Sequence, residues 1–227
     1  MTKISTIICL WLLLFPGTLR AEADLDEMLG GIRKNYGDLS GLTVAYKREV
    51  ITKTMAMLGE EVKGDLATGN MFFKPPGLLR IEQKTPKQES VIYNEETLWW
   101  YLPHQKRVYK YPGREFGKEL RLLSDIFRGL IRVDDRFQVS LLEPNALGEH
   151  QIKLAPQPVW QNIDRIILTV TNENTIRIVN ITYQLGTTTI FTLNTMIEKK
   201  DFENDFFNFK APEGVLLVEE EGVDVLQ

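Results

Sequence analysis

The chain has 227 residues, 43% of them hydrophobic, with 16 glycines, 10 prolines and a single cysteine. A formal net charge of −4 argues against bulk electrostatic binding of nucleic acid. One cysteine excludes a disulfide framework, so stability has to come from burial, and a chain of this length can build one large core without covalent staples.

The first residues have the layout of a cleavable export signal. Lys3 is followed by the apolar run Ile4–Phe15, then by the breaker Pro16-Gly17 and the small-x-small sequence Ala21-Glu22-Ala23. The run is short for a bilayer span, which needs about 20 residues. Cleavage after Ala23 is expected, leaving residues 24–227 as one domain in an extracytoplasmic compartment without Cys9. An amphipathic helix is predicted over Asp24–Tyr36, where Leu25, Met28, Leu29, Ile32 and Tyr36 recur at helical spacing. Gly37 and Gly41 end it. Leu42, Val44 and Tyr46 then alternate with Thr43, Ala45 and Lys47 as a strand with one buried face, expected to continue over Val50–Leu58. Gly59 turns into a second long strand, Glu60–Phe73.

Short strands follow, separated by turn chemistry. Lys74-Pro75-Pro76-Gly77 breaks the chain, since two prolines fix φ and Gly tolerates positive φ. Leu78–Glu82, Val91–Tyr93, Leu98–Leu102 and Lys106–Tyr111 read as strands, with turns at Pro86, Asn94-Glu95-Glu96 and Pro103-His104-Gln105. Gly117–Ile131 interrupts them with a helical stripe of Leu120, Leu123, Phe127 and Leu130, widened by Leu122, Ile126 and Ile131; Lys118, Arg121, Asp125 and Arg128 take the other positions. One amphipathic helix or two short ones are expected. Strands resume at Arg136–Leu142, Gln151–Ala155, Asp164–Val170, Thr175–Tyr183, Thr188–Ile197 and Phe206–Phe209, and Glu219–Asp224 is an acidic tail. Two helices are too few to cover some ten strands tightly, so an internal cavity fits the pattern, as does a closed, filled barrel.

Catalytic constellations are absent from the pattern. His104 and His150 adjoin turns, no serine sits in a nucleophile elbow, and no His/Asp/Glu cluster has metal-ligand spacing. The aromatics are the stronger signal: Phe72, Phe73, Trp99, Trp100, Tyr101, Tyr109 and Phe127. They are either ordinary core or the wall of an apolar pocket. Adjacent Trp99 and Trp100 must face opposite sides of their strand, and parity gives Trp100 the face of Leu98 and Leu102.

At several blocks the chain resembles the LolA-type periplasmic lipoprotein carrier family. The blocks are the strand ending in Phe72, Phe73, Lys74 and Pro76; the segment Val91-Ile92-Tyr93-Asn94-Glu95-Glu96-Thr97-Leu98-Trp99-Trp100-Tyr101; and Phe207-Asn208-Phe209-Lys210-Ala211-Pro212-Glu213-Gly214-Val215. Their order and spacing fit across nearly the whole chain after the signal. The resemblance implies a mainly β fold with helices (α+β): an open antiparallel half-barrel of about eleven strands, lidded by α-helices around a hydrophobic cavity. It implies a carrier with no enzymatic step and no cofactor, taking acylated lipoproteins from an inner-membrane ABC lipoprotein exporter to an outer-membrane lipoprotein receptor, as a monomer.

On that reading the acyl-chain cavity is assigned to Val44, Tyr46, Met71, Phe73, Leu79, Ile81, Leu98, Trp100 and Leu102. The lid is assigned to Leu120, Leu123, Phe127 and Leu130. The family often carries an Arg before the proline of the turn after Phe73, as a polar latch between sheet and lid; this chain has Pro75 there, and Arg80 is the candidate substitute. Basic residues cluster from His104 to Arg132, and Arg107, Arg114 and Arg121 are candidates for docking an acidic partner or anionic headgroups. Alternatives are a carrier or sensor for another amphiphilic lipid on the same fold, and a secreted β-rich hydrolase.

Overall fold

A computed structural model describes residues 17–59, 63–116, 118–131 and 133–219, with side chains from Asp24 onward except at 115–119. The apolar run of the expected signal and nearly all of the acidic tail lie outside the described residues. The chain starts in a helix, α1 (Gly17–Tyr36), longer at its N-terminal end than the apolar stripe required. It then lays down β1 (Leu42–Ile51), β2 (Asp65–Lys74), β3 (Leu78–Thr85), β4 (Glu89–Tyr93), β5 (Thr97–Leu102) and β6 (Arg107–Pro112) as successive antiparallel neighbours. A short helix, α2 (Lys53–Met57), joins β1 to β2. Two more, α3 (Gly113–Phe116) and α4 (Lys118–Phe127), follow β6. The second half is the meander β7 (Phe137–Leu142), β8 (His150–Pro156), β9 (Ile163–Val170), β10 (Ile176–Tyr183) and β11 (Thr188–Glu198), and β12 (Leu216–Glu219) closes the description.

All twelve strands form one sheet, ordered β12-β6-β5-β4-β3-β2-β1-β11-β10-β9-β8-β7. β1 joins the halves by pairing with β11, and the sheet stays open, its edges being β12 and β7. The expected open, helix-lidded antiparallel half-barrel is the observed fold, with one strand more than the resemblance implied. The extra strand is β12, which pairs in parallel with β6.

Three expectations are corrected. The strand continuing over Val50–Leu58 stops at Ile51, because Thr52 caps a helix: its side chain accepts from the Met55 N–H at 3.2 Å, and Lys53, Met55, Ala56 and Met57 are good helix formers. Phe206–Phe209 is no strand: Phe206 and Phe207 end a turn, Asn208 and Phe209 are irregular, and the pairing strand comes later, at β12. Asp125 is buried, not on the solvent side of its helix.

Register fixes which residues share a face. Phe73, Leu79, Tyr93, Leu98 and Tyr111 oppose one another in one row across β2–β6, and Met71, Ile81, Val91, Trp100 and Tyr109 form the next. Both rows lie on the concave face. The second half adds Ile152, Leu154, Ile166, Leu168, Val179, Ile181, Phe191 and Leu193, and α1 buries Met28, Leu29, Ile32 and Tyr36 into the same cluster. Gly69 permits the close pairing of β2 and β3 at a register shift, since a Cβ there would meet the Glu82 carbonyl oxygen at 2.0 Å.

The other face is covered by chain rather than by helix. Phe72, Arg80, Ile92, Trp99 and Lys110 lie on it. The segment between β11 and β12 runs over them: Phe206 meets Phe72 edge-on at 5.1 Å, and Phe209 packs on Trp99 and Tyr101 at 5.7 and 5.3 Å. Phe207 is the anchor of this segment, nearly fully buried against Phe202 and Phe206. Phe207→Ala is expected to destabilise the protein by about 3 kcal/mol, read from urea denaturation, as a buried aromatic removed from a site that cannot fully collapse.

Candidate functional site

The concave face is the candidate site, and α4 covers part of it. The helix is apolar on one side because Leu122, Leu123, Ile126 and Phe127 fall at i, i+1, i+4 and i+5. All four are buried, as is Leu130 just beyond. Phe127 packs on Phe73, with ring centres 5.9 Å apart. Leu120 is half-buried and Ile131 exposed, so the stripe is narrower at its ends than its sequence suggested. The helix ends where Gly129 and Leu130 both turn left-handed, at φ 75° and 57°. Gly129 is required there: a Cβ would lie 2.9 Å from the Cα of Arg33, so only glycine lets the end of α4 abut α1.

Of the residues assigned to the cavity, Val44, Tyr46, Met71, Phe73 and Leu79 are fully buried in the main core cluster, which also holds the apolar side of α4. Ile81, Leu98 and Trp100 share their face but are only half-buried. With Val91, Tyr109 and Tyr111 they form a partly open aromatic shelf, Trp100 resting on Tyr109 at 5.5 Å. Leu102 is buried but lies outside that cluster.

Beside the shelf the concave face turns polar, which sequence reasoning missed. Arg48 donates from Nη2 to Gln83 Oε1 at 3.0 Å, Gln83 Nε2 donates to the Lys87 carbonyl at 2.9 Å, and Trp100 Nε1 donates to Glu89 Oε2 at 3.2 Å. Arg48 Nε is buried with no partner among the described residues. Burial pushes the neighbouring Tyr46 hydroxyl up to about 12, Arg48 opposing the shift and Glu89 adding to it. Parity from Tyr46 placed Arg48 on this face; nothing in the sequence announced its partners.

Arg80 does not meet α4. It sits on the convex face, donating from Nη1 to the Phe206 carbonyl at 2.9 Å, with its guanidinium 4.7 Å from the Phe206 ring centre and paired with Glu82. Its contacts tie the C-terminal segment to the sheet; a latch between sheet and lid is not what they build. That geometry belongs to Arg121 on α4, which hydrogen-bonds the buried Tyr93 of β4 and donates to the Arg114 carbonyl at 2.9 Å. Arg114 and Arg121 thus line one cleft of about 380 Å³ with Arg128, Arg136, Glu95 and Glu96, whereas Arg107 is exposed at the far end of β6. His104 and His150 sit at opposite ends of the sheet, in the β5–β6 connection and at the start of β8, and form no pair.

The floor of that cleft is Asp125, paired with Arg136. Burial pushes its carboxyl above the ordinary range, while Arg136, Arg128 and Arg121 pull it back. A raised folded pKa means the folded state holds the proton longer than the unfolded one. This contribution is therefore fully present below the unfolded pKa near 3.9 and fades as pH rises through the folded value. Relative to an Asp125→Asn variant, the wild type should lose stability over that window, read from urea midpoints measured at several pH values.

The profile described as "Outer membrane lipoprotein carrier protein LolA" matches residues 57–210, over half the chain. An outer-membrane lipoprotein carrier protein from Nitrosospira multiformis is 22% identical over 223 residues, covering 96% of this chain and all of the relative. Another of that name, from Hahella chejuensis, is 22% identical over 208 residues, covering 91% and 94%. Among solved structures, an uncharacterized conserved protein from Thermus thermophilus superposes with a TM-score of 0.53 at 11% identity, covering 87% of this chain and 99% of that one. With a profile match that spans the lid and most of the sheet, the chain belongs to the LolA family of outer-membrane lipoprotein carrier proteins.

Proposed function

We propose that this protein shields lipoprotein acyl chains on its concave face and carries them through the periplasm from the inner to the outer membrane. On this reading residues 1–23 are a cleaved signal and 24–227 the single carrier domain. An inner-membrane ABC exporter loads it and an outer-membrane receptor unloads it. Arg107, Arg114 and Arg121 are the docking candidates.

The observation that carries the reading is the pairing of a buried lid stripe with a half-open aromatic shelf on one apolar surface. Five fully buried side chains at the α4 contact contribute on the order of 10 kcal/mol at about 2 kcal/mol each. An acyl chain gains about 0.8 kcal/mol per buried methylene. Roughly a dozen methylenes, less than one lipid chain, offset the loss of the lid's contacts. A cargo with two or three chains therefore binds in spite of the lid, yet far more weakly than its buried surface alone would give. That is the condition for handing it on, since only the surplus over the displaced contacts appears as affinity.

The lid and the cargo compete, so weakening one strengthens the other. Phe127→Ala should destabilise the empty protein by about 3 kcal/mol and bind a fluorescent acyl probe about ten-fold tighter, a difference of about 1.4 kcal/mol. Ile81→Glu, a charge on the half-open shelf, should weaken the same probe with little change in stability. Probe affinity that ignores both substitutions would remove the concave face from the reading. In cells, acylated lipoprotein should co-purify with the protein, and depletion should retain lipoproteins in the inner membrane. A different co-purifying lipid with normal sorting would instead assign the fold to another amphiphile, the reading that Pro75 in the latch position favours.

A further inference from the structure

Exposed apolar side chains are not spread evenly over this molecule. Among the described residues, five large ones are more than two-thirds exposed: Met57 at 73%, Leu58 at 69%, Leu147 at 76%, Val159 at 79% and Leu185 at 85%. All but Leu147 lie at one end of the strands, on three connections that adjoin: β1–β2 with α2, β8–β9, and the β10–β11 turn. Gly186 lies against Lys53, a Cβ there meeting its side chain at 3.3 Å, and the Gln184 N–H donates to the Asn162 carbonyl at 3.0 Å.

Nothing in the fold requires this arrangement. α2 buries none of its residues, although its sequence is Lys-Thr-Met-Ala-Met and Leu58 follows. A capped helix that leaves Met57 and Leu58 exposed, with only Met55 half-buried, presents them to something else. Methionine is unbranched and polarisable, suited to an irregular apolar surface.

Charge is polarised along the same direction. Among the described residues, the strand ends and connections on this side carry Lys53, Lys63, Lys87, Lys106, Arg107, Arg136 and Arg165, against Asp65, Asp134, Asp135 and Asp164. The opposite end carries Asp38, Glu95, Glu96, Glu143, Glu149, Glu173, Glu198 and Asp201, against Lys74, Arg114, Lys199 and Lys200, so it is net acidic where the first is net basic. An acidic protein thus has one end that combines apolar tips with lysines. Those are the two features that seat a protein on an anionic bilayer: side chains entering the headgroup–acyl boundary, and cations at the phosphates.

We propose that this end is a membrane-docking surface, with Met57, Leu58, Val159 and Leu185 entering the interface of an anionic lipid bilayer and Lys53 and Lys63 flanking them. The polar strip of Arg48, Gln83 and Glu89 lies toward the same strand ends, so docking turns the uncovered part of the concave face to the lipid. The inference does not rest on what the cavity carries.

The test is flotation of the purified protein, free of cargo, with vesicles of phosphatidylethanolamine and phosphatidylglycerol against vesicles of phosphatidylcholine. Binding is expected to the anionic vesicles, several-fold weaker in 0.5 M salt. Met57→Glu combined with Leu185→Glu should lower it at least ten-fold. Leu147→Glu, equally exposed at the opposite end, should leave it unchanged. Urea midpoints equal to wild type would show that the substitutions act at the surface. No binding to anionic vesicles overturns the proposal, as does an equal loss with Leu147→Glu. So does self-association in sedimentation that depends on Met57 and Leu185, which would make the patch a contact between copies. Each of these outcomes leaves the acyl-probe experiment untouched, so the two readings fail separately.

Discussion

A curled sheet of twelve strands has one concave face, and everything else in this molecule follows from how little there is to cover it. α1 and α4 bring their apolar sides to that face and fill the part lined by Val44, Met71, Phe73 and Leu79. The rows beyond, from Ile81 to Tyr111, are left half-open because no third long helix reaches them among the described residues. A sheet closed into a barrel would satisfy its edges and its interior together. This one stays open at β12 and β7 and keeps part of its concave face half-covered.

The convex face is handled differently, and the difference explains why the lid can be light. Phe202, Phe206, Phe207 and Phe209 cover β2–β6 from outside, Arg80 binds the carbonyl and ring of Phe206, and β12 adds a parallel pairing at the edge. These contacts do not involve α4. The sheet therefore has a second apolar layer independent of α4, which on the proposed reading would keep the strands that frame the shelf in register if the lid moved. Stability is divided between a convex layer built by the C-terminal segment and a concave layer built by α1 and α4.

Much of this was legible in the residues, for a simple reason: strand parity and helical spacing are local. The alternation around Val44, the stripe on α4 and the opposite orientations of Trp99 and Trp100 could be read from neighbours two to four positions apart. What could not be read depends on partners far along the chain. Arg80 sits on a strand whose facing segment is more than a hundred residues away, so nothing local could choose the C-terminal segment over α4. Asp125 occupies a position that looks solvent-facing on the helix alone but is buried at the floor of a cleft, where Arg136, eleven residues on, pairs with it. The strand expected through Leu58 was lost to one side chain, since Thr52 can cap a helix only if the chain has already left the sheet. The polar strip of Arg48, Gln83 and Glu89 spans three strands and exists only in register.

The end of α4 has a mechanical consequence. Leu130 holds a left-handed backbone, which costs an L-residue roughly 1–2 kcal/mol, and its side chain is entirely enclosed. Enclosure is what keeps the backbone there. If α4 lifts, as the proposed carrier reading requires, the enclosure goes and the twist at 129–130 is free to relax, so the joint gives back on opening what it must take up again on shutting. The shut and open forms are brought closer in free energy without loosening a single contact of the shut one. On that reading a lid built this way packs as tightly as any core helix and is still lifted by a cargo of ordinary lipid length.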